Sequence, residues 1–238
     1  MQTDLQGHYV LLTGATGGLG REVTRLVLAA GAAGVTIPYR RRTSIDALQA
    51  VIPAADLGRV QWVAADVQVE DQVAALVAAM PRIDALIHLV GGFQMGATDG
   101  FSYQDWQQQM DQNLNSAFLV CKYGLQRMRA QGYGRIVTVG SRGALQPGAY
   151  LAAYCAAKAG LVALTQAIAQ ETRERDTDIT ANVVLPSVID TPNNRRDMGE
   201  ENAWQWVSPA SLGALIVFLA SPAAKDVRGA AIPVYGKA

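Results

Sequence analysis

The chain lacks most of what would send it to a polyanion, a membrane or an oxidising compartment. Only 17% of its 238 residues are charged, and 20 Lys and Arg balance 20 Asp and Glu. No net charge is left to attract nucleic acid or an anionic lipid surface. The two cysteines, Cys121 and Cys155, fall in expected helices without disulfide or metal spacing. They are expected to be buried free thiols, consistent with a reducing cytoplasm. No His/Cys/Asp cluster has metal-ligand spacing, so no metal is expected. The opening MQTDLQGHY is polar and lacks the basic and apolar regions of a signal peptide. No apolar run reaches the roughly 18 residues of a membrane span, and the nearest, LGALIVFLAS, is expected to be a core helix. Neither nucleic acid nor membrane is an expected partner. Internal repeats, linkers and low-complexity tracts are also missing, which implies one domain over 1–238.

Half of the residues are hydrophobic, enough for a substantial core. Short apolar runs at 8–13, 34–39, 60–66, 85–90, 134–140, 179–186 and 230–236 have the composition of buried strands. Helical periodicity falls between them, with a long helix expected at about 102–130 and another running to about Arg173. The stretch SVIDTPNNRRDMGEENAWQW is polar and is expected to be irregular and mobile. Ser208-Pro209 then opens a helix in N-cap and N1 order. Strands alternating with helices imply an α/β fold: a doubly wound parallel sheet of about seven strands with helices on both faces.

Between the first strand and first helix stands Thr13-Gly14-Ala15-Thr16-Gly17-Gly18-Leu19-Gly20. Glycines allow a tight turn and close approach of backbone N–H groups to phosphates, and the helix N-terminus adds a positive dipole. This is the opening of a dinucleotide-binding Rossmann unit. Far downstream, Ser141 ends a strand, and Tyr154 and Lys158 stand one helical turn apart on one face. Hydride transfer to a carbonyl needs a proton donor, but a free phenol has a pKa near ~10. A neighbouring ammonium favours phenolate, and a shift to about 7 requires roughly 4 kcal/mol.

Thr13-Gly14-x-x-x-Gly18-x-Gly20, joined to Ser141, Tyr154 and Lys158, resembles the short-chain dehydrogenase/reductase family in its compact, single-domain branch. The spacing Gly14-x-x-Gly17-x-x-Gly20 also fits the extended branch, but the chain has no room for that branch's additional C-terminal substrate domain. The resemblance covers nearly the whole chain, from Tyr9 to Gly236. It implies that Tyr154 is the general acid/base and that Lys158 lowers its pKa and holds the nicotinamide ribose. It further implies that Ser141 bonds the substrate oxygen and that Asn113 holds a water in a proton relay. Asn115 lies two residues from Asn113 on a different helical face, and both cannot serve. Asp66-Val67 resembles the adenine-contacting pair, Val90-Gly91 the cofactor wall, and Pro186, Val188 and Thr191-Pro192 the segment passing the nicotinamide. There are two departures. His88-Leu89-Val90-Gly91 replaces the usual Asn-Asn-Ala-Gly, and Ser187 replaces the glycine after Pro186.

After the second strand the chain reads Tyr39-Arg40-Arg41-Arg42, with no carboxylate before Asp46. An acidic residue there would favour a ribose hydroxyl, whereas guanidinium forks suit a 2′-phosphate. NADP(H) is therefore expected over NAD(H), with Arg40 as the contact and a solvated arginine run as the plainer alternative. Phe93, Met95, Leu145 and Tyr150 suggest a small or medium carbonyl or alcohol substrate with apolar bulk, although ordinary packing explains them equally. Arg142, Arg195 and Arg196 are expected to be solvated, and His88 to be a satisfied core histidine. By resemblance, the two long helices form a homotetramer interface. Two alternatives to an oxidoreductase remain: a non-enzymatic NADP(H)-binding sensor or scaffold, and an epimerase or isomerase retaining its cofactor.

Overall fold

The structure is a computed structural model describing residues 4–173 and 177–237. Seven parallel strands form one sheet: β1 (Tyr9–Thr13), β2 (Gly34–Tyr39), β3 (Val60–Ala64), β4 (Ala85–His88), β5 (Tyr133–Val139), β6 (Asp178–Pro186) and β7 (Ala231–Val234). Their order is β3-β2-β1-β4-β5-β6-β7. The chain winds outward from β1 to β3, then returns to lay β4 on the other side of β1. A crevice opens at that reversal, beyond the carboxyl ends of the strands.

Side-chain alternation builds the two faces. Val10 and Leu12 of β1, Ala85 and Ile87 of β4 and Val137 of β5 enter one apolar cluster with residues of α1 (Gly18–Ala29), α2 (Thr43–Gln49) and α8 (Pro209–Leu219). Leu11, Leu86 and Ile136, the intervening positions, enter a second with α3 (Glu70–Ala78), α5 (Ser116–Gln131) and α6 (Ala152–Glu171). Period-two geometry thus sends a continuous apolar run to both faces of a covered sheet. Each fully buried Leu or Ile contributes roughly 1.5–3 kcal/mol.

The long helix expected at about 102–130 is present as α4 (Tyr103–Met110), a π-helical segment over Asp111–Asn115, and then α5 without a break. Two expectations need correction. The polar stretch after β6, expected to be irregular, contains α7 (Pro192–Met198). Thr191 caps α7, its hydroxyl accepting from Asn194 N at 3.2 Å, with Pro192 in the first turn. Finally, α6 is long and apolar enough to cross a membrane, with 20 residues and a mean hydropathy of 1.3. About half of its apolar stretch is buried, and it packs on β6, as a core helix does.

Candidate active site

At the crevice lies a cleft of about 240 Å³, lined by Gly14, Thr16, Gly17, Tyr39, Arg40, Asp66, Val67, Val90 and Gly91. Gly14 has φ +75°, and a Cβ there would come within 2.7 Å of the Leu89 carbonyl carbon. Only glycine allows that backbone to run against the loop after β4. Gly17 is the N-cap of α1 and supplies no side-chain cap. The first N–H groups of this helix are therefore open to an anion at the cleft. Arg40 Nη1 lies 3.9 Å from Asp66 Oδ2 across the cleft mouth, and both side chains keep substantial exposure.

Other turn and wall residues act differently. Thr13 is fully buried, with Oγ1 2.9 Å from His88 Nδ1. A Cβ on Gly18 would strike the Thr191 side chain, so the turn and the segment after β6 pack directly together. Leu19 enters the core, and Gly20 is buried against the turn itself. Pro186 ends β6 opposite Val234, and Val188 O accepts from Val207 N at 2.8 Å. These residues frame the site without lining the cleft.

The cleft's far end meets the titratable groups. Lys158 is buried on α6, and its Nζ donates to Val139 O, at the end of β5, at 2.8 Å. Burial pushes the Lys158 pKa down to about 8. A Cβ on Gly91 would sit 3.2 Å from Lys158 Nζ and 2.9 Å from Asn113 Oδ1, so only a bare backbone fits between them. One on Gly143 would sit 3.6 Å from Ser141 Oγ and 3.8 Å from Tyr154 Cε1. Contrary to the lowering expected from Lys158, burial raises the phenol pKa of Tyr154, with Ser141 beside it pulling the other way. The Tyr154 ring lies 6.0 Å from Lys158 Nζ, and Phe93 packs edge-on against it at 5.0 Å. The fold thus gathers a hydroxyl, a phenol and an ammonium at one end of a phosphate-sized cradle.

Asn113 falls in the π segment and is fully buried. Its Oδ1 accepts from Gly92 N at 3.2 Å, and its Nδ2 donates to Gly92 O at 3.0 Å. Asn115 is exposed and donates to Asp111 Oδ1 at 2.7 Å. Asn113 is therefore the asparagine that reaches the site, and a π insertion, common at functional sites, aims it there.

The family model described as short chain dehydrogenase matches residues 8–202. The chain belongs to the short-chain dehydrogenase family. It is 32% identical to the D-beta-hydroxybutyrate dehydrogenase of Cupriavidus necator over 251 residues, covering 95% of each chain. It is also 32% identical to the 3-oxoacyl-[acyl-carrier-protein] reductase of a Synechocystis species over 246 residues, covering 98% of each. A putative gluconate dehydrogenase structure from Agrobacterium tumefaciens superposes with a TM-score of 0.89, at 28% identity, covering 99% of this chain and 97% of that one. This short-chain dehydrogenase is accordingly an oxidoreductase acting on CH–OH and C=O groups, in a family that uses NAD(P)(H).

In this short-chain dehydrogenase the altered wall has its own bonding. His88 is 1% exposed, bonded through Nδ1 to Thr13 and facing Ser116 Oγ with Nε2 at 3.4 Å. Burial, then the charge of Lys158, pushes its pKa down to about 3, so it is neutral. Leu89 of the altered wall lines the cleft, and sequence reasoning missed Pro38, Ala65 and Gln68, which also line it. It also missed Gln109 and Gln112, which surround the Asn113–Gly92 pair. Pro38, Ala65 and Gln68 lie at or beside strand ends and carry no chemical signature. The glutamines are legible only once the π segment is known.

Proposed function

We propose that this protein is an NADP(H)-dependent oxidoreductase that interconverts a carbonyl compound and a secondary alcohol. The observation carrying this is the convergence of Ser141, Tyr154, Lys158 and Asn113 on the end of the glycine-turn cleft. When bound, the dinucleotide supplies or accepts the hydride. The bare cradle at Gly14 and Gly91 and the uncapped start of α1 fit it. Thr16, Gly17 and α1 hold its phosphates, Asp66 and Val67 the adenine end, and Val90 and Gly91 the nicotinamide end.

Tyr154 Oη delivers the proton to the substrate oxygen in reduction and removes it in oxidation. Ser141 Oγ holds that oxygen. Lys158 keeps an ammonium beside the phenol and stabilises the phenolate. Its bond to Val139 O fixes the ammonium in place. Asn113 fixes the Gly92 backbone and holds a water in the proton relay from Lys158. Arg40 at the cleft mouth supports the NADP(H) preference, its guanidinium being suited to a 2′-phosphate.

We further propose that the chain acts as a single cofactor-binding domain in a cytoplasmic homotetramer. Phe118 of α5, 49% exposed, is suited to burial between copies, and the two free, buried cysteines suit a reducing compartment. Light scattering tests the assembly. Following NADPH absorbance with ketones, quinones, 3-oxoacyl thioesters, sugars and dihydropteridines tests the chemistry. Net consumption with a carbonyl compound is the expected result. Tight NADPH binding with no consumption, or substrate interconversion without it, overturns the proposal.

A further inference from the structure

Beside the cofactor cleft lies a second hollow of about 220 Å³, whose lining includes Gln94, Phe101, Tyr103, Trp106, Tyr150 and Ala153. Four of these six are aromatic. Ala153 immediately precedes Tyr154 on α6, and Phe93, immediately before Gln94, packs on the Tyr154 ring at 5.0 Å. The hollow's lining thus adjoins, along the chain, both the residue that carries the phenol and the ring packed against it. Its walls are fastened to each other: Gly96 N donates to Tyr150 O at 2.8 Å, joining the loops after β4 and β5. Tyr150 is the one non-glycine among the described residues with a positive φ, at 66°. Such strain persists only where the surroundings enforce it, and it concentrates at active sites and ligand clamps.

Charge narrows what enters. The stretch 91–110 carries Asp99 and Asp105 and no cation. Cations on the neighbouring loops are engaged. Arg142 donates to Gln146 Oε1 at 2.9 Å and packs over Tyr235. Arg195 grips Asp190 through two bonds of 2.6 and 2.8 Å, and Arg196 bonds Asp197 at 3.0 Å. The lining of the hollow carries no charged side chain, so a carboxylate or a thioester carrying phosphates finds no cation within it. Pockets for drug-sized ligands run to about 300–1,000 Å³, so this hollow suits a substituent of roughly one ring.

We propose that the hollow takes the apolar substituent, an aryl or cycloalkyl group, of a neutral ketone or secondary alcohol. The substrate class is then neutral and apolar, not an anionic hydroxy acid or acyl thioester. This rests on the carbonyl-reducing role proposed for Tyr154.

The test compares acetophenone, cyclohexanone, acetone, acetoacetate and acetoacetyl-CoA as NADPH-dependent substrates of the full chain. It is repeated with Trp106→Ala and Trp106→Phe, and calorimetry follows acetophenone binding to Tyr154→Phe with NADP+ present. The ring ketones are expected to have the highest kcat/KM. Trp106→Ala should lower their values about tenfold or more while acetone and the NADPH KM stay unchanged, and Trp106→Phe should restore most of the loss. Preference for the anionic substrates overturns the assignment, as does a Trp106→Ala loss equal for all substrates. So does a change of oligomeric mass with discrimination intact, which would assign the hollow to an interface between copies. If acetoacetate is reduced but acetophenone neither binds nor reacts, the hollow fails and the oxidoreductase stands. If acetophenone binds yet no carbonyl compound consumes NADPH, the hollow stands and the reductase role fails.

Discussion

Lys158 Nζ donates to Val139 O at 2.8 Å, which ties the ammonium of α6 to the end of the strand that presents Ser141. The bond holds the cation in a buried place between Gly91 and the Tyr154 ring. It compensates only part of the burial, and the Lys158 pKa falls from 10.5 to about 8. Between those values the unfolded chain carries more protons at this residue. Folding stability therefore rises with pH through about 8 to 10.5, by up to about 1.4 kcal/mol per pH unit, with no contribution from this group below that window. The unfolding free energies of the cofactor-free protein and Lys158→Met, measured from pH 7.5 to 10, should diverge in favour of the parent as pH rises. Parallel profiles would count against a buried, compressed ammonium.

His88 carries the same sign at acid pH. Its pKa is pushed from 6.5 to about 3, by burial first and by Lys158 second. The unfolded chain takes up the proton first, so stability falls as pH drops from about 6.5 towards 3. Replacing His88 with Gln should cost about 1–3 kcal/mol near neutrality by disturbing the Thr13 bond. It should also flatten the acid limb of the stability profile. A variant with an unchanged acid limb would show that His88 protonates freely in the folded state.

Tyr150 sits at φ 66° with its side chain 61% exposed. A glycine adopts that backbone without the Cβ clash, so Tyr150→Gly should leave stability unchanged or raise it by about 1 kcal/mol. Tyr150→Ala, which keeps the strain, should not. Chemical denaturation of the two variants checks this. A marked loss in the glycine variant alone would mean that the ring holds the loops together.

Arg40 Nη1 lies 3.9 Å from Asp66 at the mouth of the cofactor cleft. Losing one charge-assisted contact to a phosphate costs about 1.5–3 kcal/mol, which corresponds to about ten- to a hundredfold in affinity. Arg40→Ala should raise the NADPH KM by that factor and leave the NADH KM within about twofold. Equal KM changes for the two cofactors would remove Arg40 from the choice.

Some of this was visible in the residues alone. Buried runs of Val, Ile and Leu declare strands, and a glycine turn between strand and helix declares the cradle, because both rest on local steric rules. Ser141, Tyr154 and Lys158 are legible because a strand end and one helical turn fix their placement. The π segment is not legible, since its shift of the side-chain face falls in the polar stretch DQNLN, where Leu114 is the one apolar residue to register it. Helix α7 hides in polar sequence, having no buried residue to show a stripe, although Thr191-Pro192 is a cap signal. Nothing in Tyr150 announces a positive φ, because packing between two loops imposes it. Thr13 looks like a cofactor ligand in the sequence, and only the position of His88 shows where its hydroxyl goes.

We propose that Tyr154 moves the proton at an intact cofactor site. Turnover and NADPH binding should therefore separate in Tyr154→Phe, which removes one oxygen and leaves the ring against Phe93. We expect kcat to fall by about 10²–10⁴-fold, with the NADPH dissociation constant, measured by fluorescence, within about twofold of the parent. A variant that retains near-normal turnover with a working substrate would contradict the account.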